Sequence, residues 1–193
     1  MPTPKILAFG GALRRGSFNQ KLATIAAGGA REAGAEVTLI ALRDFPMPIF
    51  DGDLEDASGM PENAKKFKAL LKEHDGWIIS TPEYNSSITA ALKNAIDWAS
   101  REETDDEPPL SAFTGKTAIL CSASPGALGA MRSLAAVHAI LVNIGVNVLP
   151  DKVSVSRAHE AFREDGSLKD EKQAAKLKAL GAKLTKHLQK MLA

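Results

Sequence analysis

From Gly10 to Gln20 the chain reads Gly-Gly-Ala-Leu-Arg-Arg-Gly-Ser-Phe-Asn-Gln. Glycines such as Gly11 let main chain approach a bound group closely. A segment that opens a helix also presents unpaired N–H groups and the positive end of the helix dipole. Arg14 adds a planar charged fork, and Ser17 and Asn19 add short neutral donors. The chemistry these residues suit is the holding of a phosphate. A ligand-free account stands beside it: Ser17 and Gln20 have capping-box spacing, and Arg14 and Arg15 also read as solvated charges.

Nucleotide hydrolysis does not fit. Gly11 and Gly16 have P-loop spacing, but Ser17-Phe18 follows where Lys and Ser/Thr are needed. The third apolar run ends in Ser80-Thr81 and offers no aspartate for magnesium. The dinucleotide pattern G-x-G-x-x-G is absent as well. A mononucleotide such as FMN fits these exclusions better.

A second segment, Thr81-Pro82-Glu83-Tyr84-Asn85-Ser86-Ser87, follows that third run directly. Pro82 stiffens the turn, the residues after it carry free N–H groups, and Tyr84 offers an aromatic face. A flat heteroaromatic ring needs such a face and such edge donors. The same residues also read as a polar turn capping the next helix, with Glu83 complementing its dipole. A third segment, Ser122 to Gly129, is small and polar, as a ring edge requires. Ser124 and Pro125 there also suit an ordinary helix start. Cys121 lies beside it and reads as a buried, inert thiol. His74, His138, His159 and His187 lie far apart without metal-ligand spacing, so no metal site is expected.

Five apolar runs position these segments: Lys5–Gly10, Glu36–Leu42, Gly76–Thr81, Lys116–Ser122, and Asn147–Pro150 with Lys152–Val155. Unbroken apolar strands are covered on both faces, which implies a parallel sheet. Helical spacing predicts helices over Ser17–Gly34, Pro61–His74, Ile88–Ser100, Ala127–Asn143 and Asp170–Leu192. Gly28 and Gly29 weaken the first of these. The helix at Ala127–Asn143 is strongly apolar, which predicts burial on several sides. Arg43–Gly59 and Arg101–Pro109 read as loops. The alternation makes an α/β fold, and no linker divides residues 1–193 into two domains. In such folds ligands lie beyond the carboxyl ends of the strands.

A chain of 193 residues with net charge +1 has no overall field for nucleic acid or an anionic membrane. A single cysteine excludes an internal disulfide. The start of the chain lacks signal-peptide features, and no apolar run reaches membrane-spanning length. A cytoplasmic location is expected.

Three stretches, Gly11–Ala23, Thr81–Ser87 and Leu92–Ser100, resemble the NADPH-dependent FMN reductase family. The family is flavodoxin-like and includes bacterial chromate, quinone and azo-dye reductases. The resemblance runs from the first strand through the fourth helix. It implies a three-layer sandwich with a five-stranded parallel sheet in the order 2-1-3-4-5. FMN would be the cofactor and NADPH or NADH the reductant. A quinone, azo compound, chromate or free flavin would be the small-molecule acceptor, served by a ping-pong scheme. Gly11, Arg14, Ser17, Phe18 and Asn19 then belong to the phosphate end. Pro82, Glu83, Tyr84 and Asn85 hold the isoalloxazine, and Ser124 and Gly126 touch its edge. Chemistry at the flavin N5 needs no catalytic side chain. Arg14 or Arg15 is also placed to meet a phosphate of NADPH. A homodimer or dimer of dimers is implied, with contacts along Ile88–Arg101 and Ala127–Asn143. The chain departs from the family at Ala12 (commonly Ser), Thr89 (usually Pro) and Gly129-Ala130 (often a Gly pair). One rival reading is a flavodoxin-type electron carrier, but the chain lacks that group's acidity and Ser/Thr-rich loop; a second is a regulatory or scaffold protein that keeps the fold without useful flavin binding, toward which only Ala12 leans.

Overall fold

The computed structural model describes residues 2–193. Its centre is a parallel sheet of five strands in the order β2-β1-β3-β4-β5. The strands are β1 (Lys5–Gly10), β2 (Glu36–Leu39), β3 (Gly76–Ser80), β4 (Thr117–Ala123) and β5 (Asn147–Val155). The helices are α1 (Phe18–Glu32), α2 (Gly52–Ser58), α3 (Glu62–Glu73), α4 (Ala90–Ala99), α5 (Met131–Asn143), α6 (Ala158–Ala161) and α7 (Glu171–Met191). β3 and β4 are buried along their whole length, as their unbroken apolar runs require.

Side chains alternate across the sheet. Leu7, Phe9, Trp77, Ile79 and Leu120 join the core beneath α3, α4 and α5. Ile6, Ala8, Ile78, Ile119 and Cys121 join the core beneath α1 and α7. Along α7 the stripe Leu177, Leu180, Leu184 and Leu188 is at most 4% exposed. Each such leucine contributes about 1.5–3 kcal/mol.

Helices α1 and α7 cross at backbone contact. A Cβ on Gly29 would lie 2.1 Å from the Lys178 carbonyl oxygen, and one on Gly181 would lie 2.0 Å from that of Ala26. The glycines that weaken α1 by propensity thus sit in a helix whose close crossing needs one of them. Gly28 has no neighbour within 4 Å and plays no part in that contact.

Several elements differ from the sequence expectation. β2 stops at Leu39 because its pairing with β1 ends at Ala8↔Leu39. Leu42–Asp44 then forms a 3-10 turn. α2 occupies part of the expected Arg43–Gly59 loop, starting from an Asp51 cap and burying no residue. α5 begins at Met131, four residues late, because Gly129 and Ala130 have φ of 59° and 67°. Its buried residues form one stripe, Ser133, Leu134, Val137 and Leu141, with Met131 and Val142 exposed. β5 is continuous through Pro150, where its register against β4 shifts between Ala118 and Leu120. A bulge accommodates a residue that has no N–H to donate.

Outside the sheet, Lys68 of α3 is 1% exposed. It donates to the Arg101 carbonyl at 2.6 Å and to Glu107 at 2.5 Å. Lys72 and Ser111 also donate to Glu107, so the acidic 101–109 segment folds down onto α3. Among the described residues no helix is long and apolar enough to cross a membrane.

Candidate functional site

Strand order and register bring three loops together. Gly10 pairs with Ser80, and Ser80 pairs with Cys121. β1 and β3 therefore end side by side, β4 runs two residues further to Ala123, and the loops after the three strands form the walls of one cleft.

Asn19 fastens those ends together. It is 3% exposed. Its Oδ1 accepts from the Ser80 hydroxyl at 2.9 Å and from the Ala123 N–H at 2.9 Å. Its Nδ2 donates to the Ala123 carbonyl at 2.9 Å. The side chain is fully engaged by protein, so only its main-chain N–H is left for a phosphate. Gln20 acts similarly toward β2. It accepts from the Gly10 N–H at 3.0 Å and donates to the Ile40 carbonyl at 2.8 Å. The expected capping box is therefore half formed: Ser17 Oγ accepts from the Gln20 N–H at 3.4 Å, while Gln20 turns to the sheet.

The first wall is the loop ahead of α1. Arg14, Gly16, Ser17, Phe18 and Asn19 line the cleft. The N–H groups of Phe18 and Asn19, in the first helical turn, have no intrahelical acceptor. Phe18 stacks on Phe162 at 5.5 Å with the rings 10° from parallel. Gly11 does not line the cleft. Its Cβ would lie 2.8 Å from Leu92, so this glycine admits α4 and not a ligand. Thr89 caps α4 by accepting from the Leu92 N–H at 3.1 Å, and it donates to the Gly11 carbonyl at 2.6 Å. The departure from proline at that position thereby supplies a strut under the phosphate loop.

The second wall is Pro82, Glu83 and Tyr84. Tyr84 and Ser87 pair across a two-residue turn, with N–H···O distances of 3.0 and 3.1 Å. Asn85 and Ser86 occupy it with φ of 49° and 68°. Positive φ at both central residues suits asparagine, so Asn85 is explained by the turn and stays outside the cleft lining. The Tyr84 N–H is taken by that hairpin, and its ring stands 56% exposed over the cleft.

Helix α5 clamps this wall. Ser133, fully buried, donates to the Pro82 carbonyl at 2.8 Å and lies 2.7 Å from the Thr81 hydroxyl. Arg132 donates to Glu83 from its main-chain N–H at 3.1 Å and from Nε at 2.7 Å. Burial alone would raise the Glu83 carboxyl, but these bonds and the adjacent guanidinium outweigh it and hold the group below the usual carboxylate range. Arg132 and Ser133 escaped the sequence reading. The signal was present: Arg132 is the one charged residue between Ala127 and Asn143, at a helix start where a cation opposes the dipole.

The third wall is Ala123, Ser124 and Pro125. Ser124 does not cap α5. Its Oγ accepts from the Gly126 N–H at 3.1 Å, and Gly126 lies off the cleft. Cys121 is fully buried beneath, and burial pushes its thiol up to about 12, against a smaller lowering by the Ser80 hydroxyl. Among the described residues no cluster of three His, Cys, Asp or Glu side chains is placed to hold a metal.

The cleft, of about 190 Å³, thus has a cationic, N–H-rich end and an aromatic end joined by Ala123, Ser124 and Pro125. The residues at the two ends suit the two parts of FMN, an anionic phosphate and a flat ring. A larger hollow of about 300 Å³ lies beside α4. Its one polar side chain, Asn94, is already bonded to Phe50 and Pro48, so that hollow offers no chemistry.

The family described as NADPH-dependent FMN reductase matches residues 4–160. An NAD(P)H-dependent FMN reductase of Pseudomonas aeruginosa is 36% identical over 169 residues, 87% of this chain and 86% of the relative. An NAD(P)H:quinone oxidoreductase of Solanum tuberosum is 32% identical, covering 93% of this chain and 90% of its own. Among solved structures, the flavoenzyme NAD(P)H:(acceptor) oxidoreductase FerB of Paracoccus denitrificans superposes with a TM-score of 0.79 at 28% identity. That match covers 97% of this chain and 98% of FerB.

Proposed function

The chain belongs to the NADPH-dependent FMN reductase family, an oxidoreductase family working with FMN and NAD(P)H, and from that premise we propose that it passes electrons from NAD(P)H to a small quinone-like acceptor. The observation that carries this reading is the two-ended cleft at the carboxyl ends of β1, β3 and β4. FMN, when bound, supplies the acceptance of hydride from the nicotinamide and the delivery of electrons to the acceptor.

The chain's own residues bind and orient. Arg14, with the N–H groups of Phe18 and Asn19, neutralises the phosphate. Phe18, braced by Phe162, closes the cleft beside it. Pro82 and Glu83, clamped by Arg132 and Ser133, keep the ring wall from shifting. The N–H of Glu83 is free of the hairpin that takes the Tyr84 N–H, and it stands ready for charge that develops at the ring edge. Reductant and acceptor would use the open face of the bound ring in turn, a ping-pong order. No side chain is asked to act as nucleophile or general base. The proposal includes a single FMN-binding unit over residues 1–193, a cytoplasmic location and a homodimer or dimer of dimers.

The test is the visible spectrum of the protein mixed with FMN, desalted and given NADPH without oxygen. Retained flavin bands that bleach support the reading. Retained bands that do not bleach favour an electron carrier, and loss of the bands removes FMN as a resident cofactor.

A further inference from the structure

Residues 155–168, running from the end of β5 through α6, contact two walls of the cleft without lining it. On the third wall, the Ser124 N–H donates to the Val155 carbonyl at 3.1 Å, and the Ala158 N–H donates back to the Ser124 carbonyl at 3.0 Å. Between them the Arg157 N–H donates to the Gly126 carbonyl at 3.3 Å. Arg157 has φ of 45°, a left-handed conformation that a residue with a side chain keeps only where its surroundings impose it.

On the first wall, the Phe162 ring stacks on that of Phe18. Lys21, on the next turn of α1, holds its Nζ 5.4 Å from the centroid of the same Phe162 ring. A Cβ on Gly166 would lie 3.7 Å from Lys21 Cγ and Cδ, so the Lys21 stem runs along the turn that carries Gly166. The start of α1, with the free N–H groups of Phe18 and Asn19, is thus gripped from outside by residues 162–168.

That grip is tied by its own bonds. Phe162 and Leu168 pair as an antiparallel bridge, and Leu168 is buried. The Arg163 N–H donates to the Ser167 carbonyl at 2.8 Å, and Arg163 Nη1 donates to the Leu168 carbonyl at 2.6 Å. Asp165 accepts from the Ser167 N–H at 2.9 Å and from its hydroxyl at 2.7 Å. The family match ends at residue 160, so this hairpin lies past the matched segment.

We propose that residues 155–168 form a brace that sets how tightly FMN is retained, with Phe162 as the residue that positions the phosphate-binding turn of α1. The proposal rests on FMN occupying the cleft. A turn already held in its binding direction has less freedom to lose when the phosphate arrives, which tightens binding without any new contact to the ligand. By linkage, bound FMN tightens the hairpin in return.

The experiment titrates FMN, and riboflavin, which lacks the phosphate, into the apo protein, Phe162→Leu and Phe162→Tyr, read by quenching of flavin fluorescence. Leucine keeps apolar bulk and loses the stack, whereas tyrosine keeps the ring. The FMN dissociation constant should rise about three- to tenfold in Phe162→Leu, chiefly through faster release, and stay within about twofold in Phe162→Tyr. Riboflavin binding should change by less than about twofold in both. Equal weakening of the two flavins would show a general loss of structure and overturn the proposal. Hydrogen exchange of the unsubstituted protein adds a reading that depends on no variant. FMN should slow exchange at the Arg163 and Lys169 N–H groups, which bond to the Ser167 and Ala161 carbonyls, and exchange unaltered by FMN counts against the brace. If the unsubstituted protein takes up no FMN, the cofactor assignment fails and the brace with it. If it takes up FMN that Phe162→Leu holds as firmly, the brace alone fails.

Discussion

Replacing Asn19 by alanine removes three hydrogen bonds of 2.9 Å that tie α1 to the ends of β3 and β4. Each intramolecular bond is worth about 1 kcal/mol net, and a buried N–H left without a partner adds about 1–3 kcal/mol. Ala123 is 2% exposed, so water does not readily replace the amide. The expected loss is about 4–6 kcal/mol, a third or more of the stability of an ordinary domain. For a chain of this size it corresponds to a melting temperature lower by about 8–24 °C. Urea unfolding followed by far-ultraviolet circular dichroism measures it, in the apo protein and after FMN loading. The loss should be similar in both, because the side chain serves the strands and not the ligand. A loss below about 1 kcal/mol, or one confined to the FMN-loaded protein, would refute the reasoning.

Glu83 is held below its ordinary value, so its contribution is complete above about pH 4.3 and fades as pH falls through the lower folded value. Acid titration of stability should show that limb, and Arg132→Met should flatten it; superimposable acid limbs would contradict the clamp. Gly181→Ala drives a Cβ to within 2.0 Å of the Ala26 carbonyl oxygen and should lower stability by about 1–3 kcal/mol. Gly28→Ala, with open space around it, should raise stability by about 0.5–1 kcal/mol, and thermal melts of the two variants give the comparison. Cys121, fully buried with its thiol pushed up to about 12, should resist iodoacetamide at pH 8 until the protein is unfolded in urea. Rapid labelling of the native protein would contradict that burial.

The strands were legible because unbroken apolar runs and a parallel sheet are two statements of one fact, burial on both faces. The phosphate and ring segments were legible because their residue types are unusual where a strand meets a helix. Other features depend on register and pairing, which single-chain patterns do not carry. Asn19 reads as a phosphate donor until the neighbouring ends of β3 and β4 show that its amide has protein partners. Gly11 reads as ligand clearance until Leu92 is found against it. The helix α2 buries no residue, so it left no apolar stripe to detect. The late start of α5 follows from two positive φ values at Gly129 and Ala130. The second of these falls on an alanine, which gives no sign of left-handed backbone.

The crossing of α1 and α7 also bears on synthesis. α7 follows every strand in the chain, yet it covers the sheet face formed by Ile6, Ala8, Ile78 and Ile119. While the chain grows, β1, β3 and β4 can be complete with that face bare, and α1 alone covers part of it. The nascent protein thus carries an apolar surface until residues 171–191 emerge, a window in which a chaperone or a neighbouring nascent chain can compete for it.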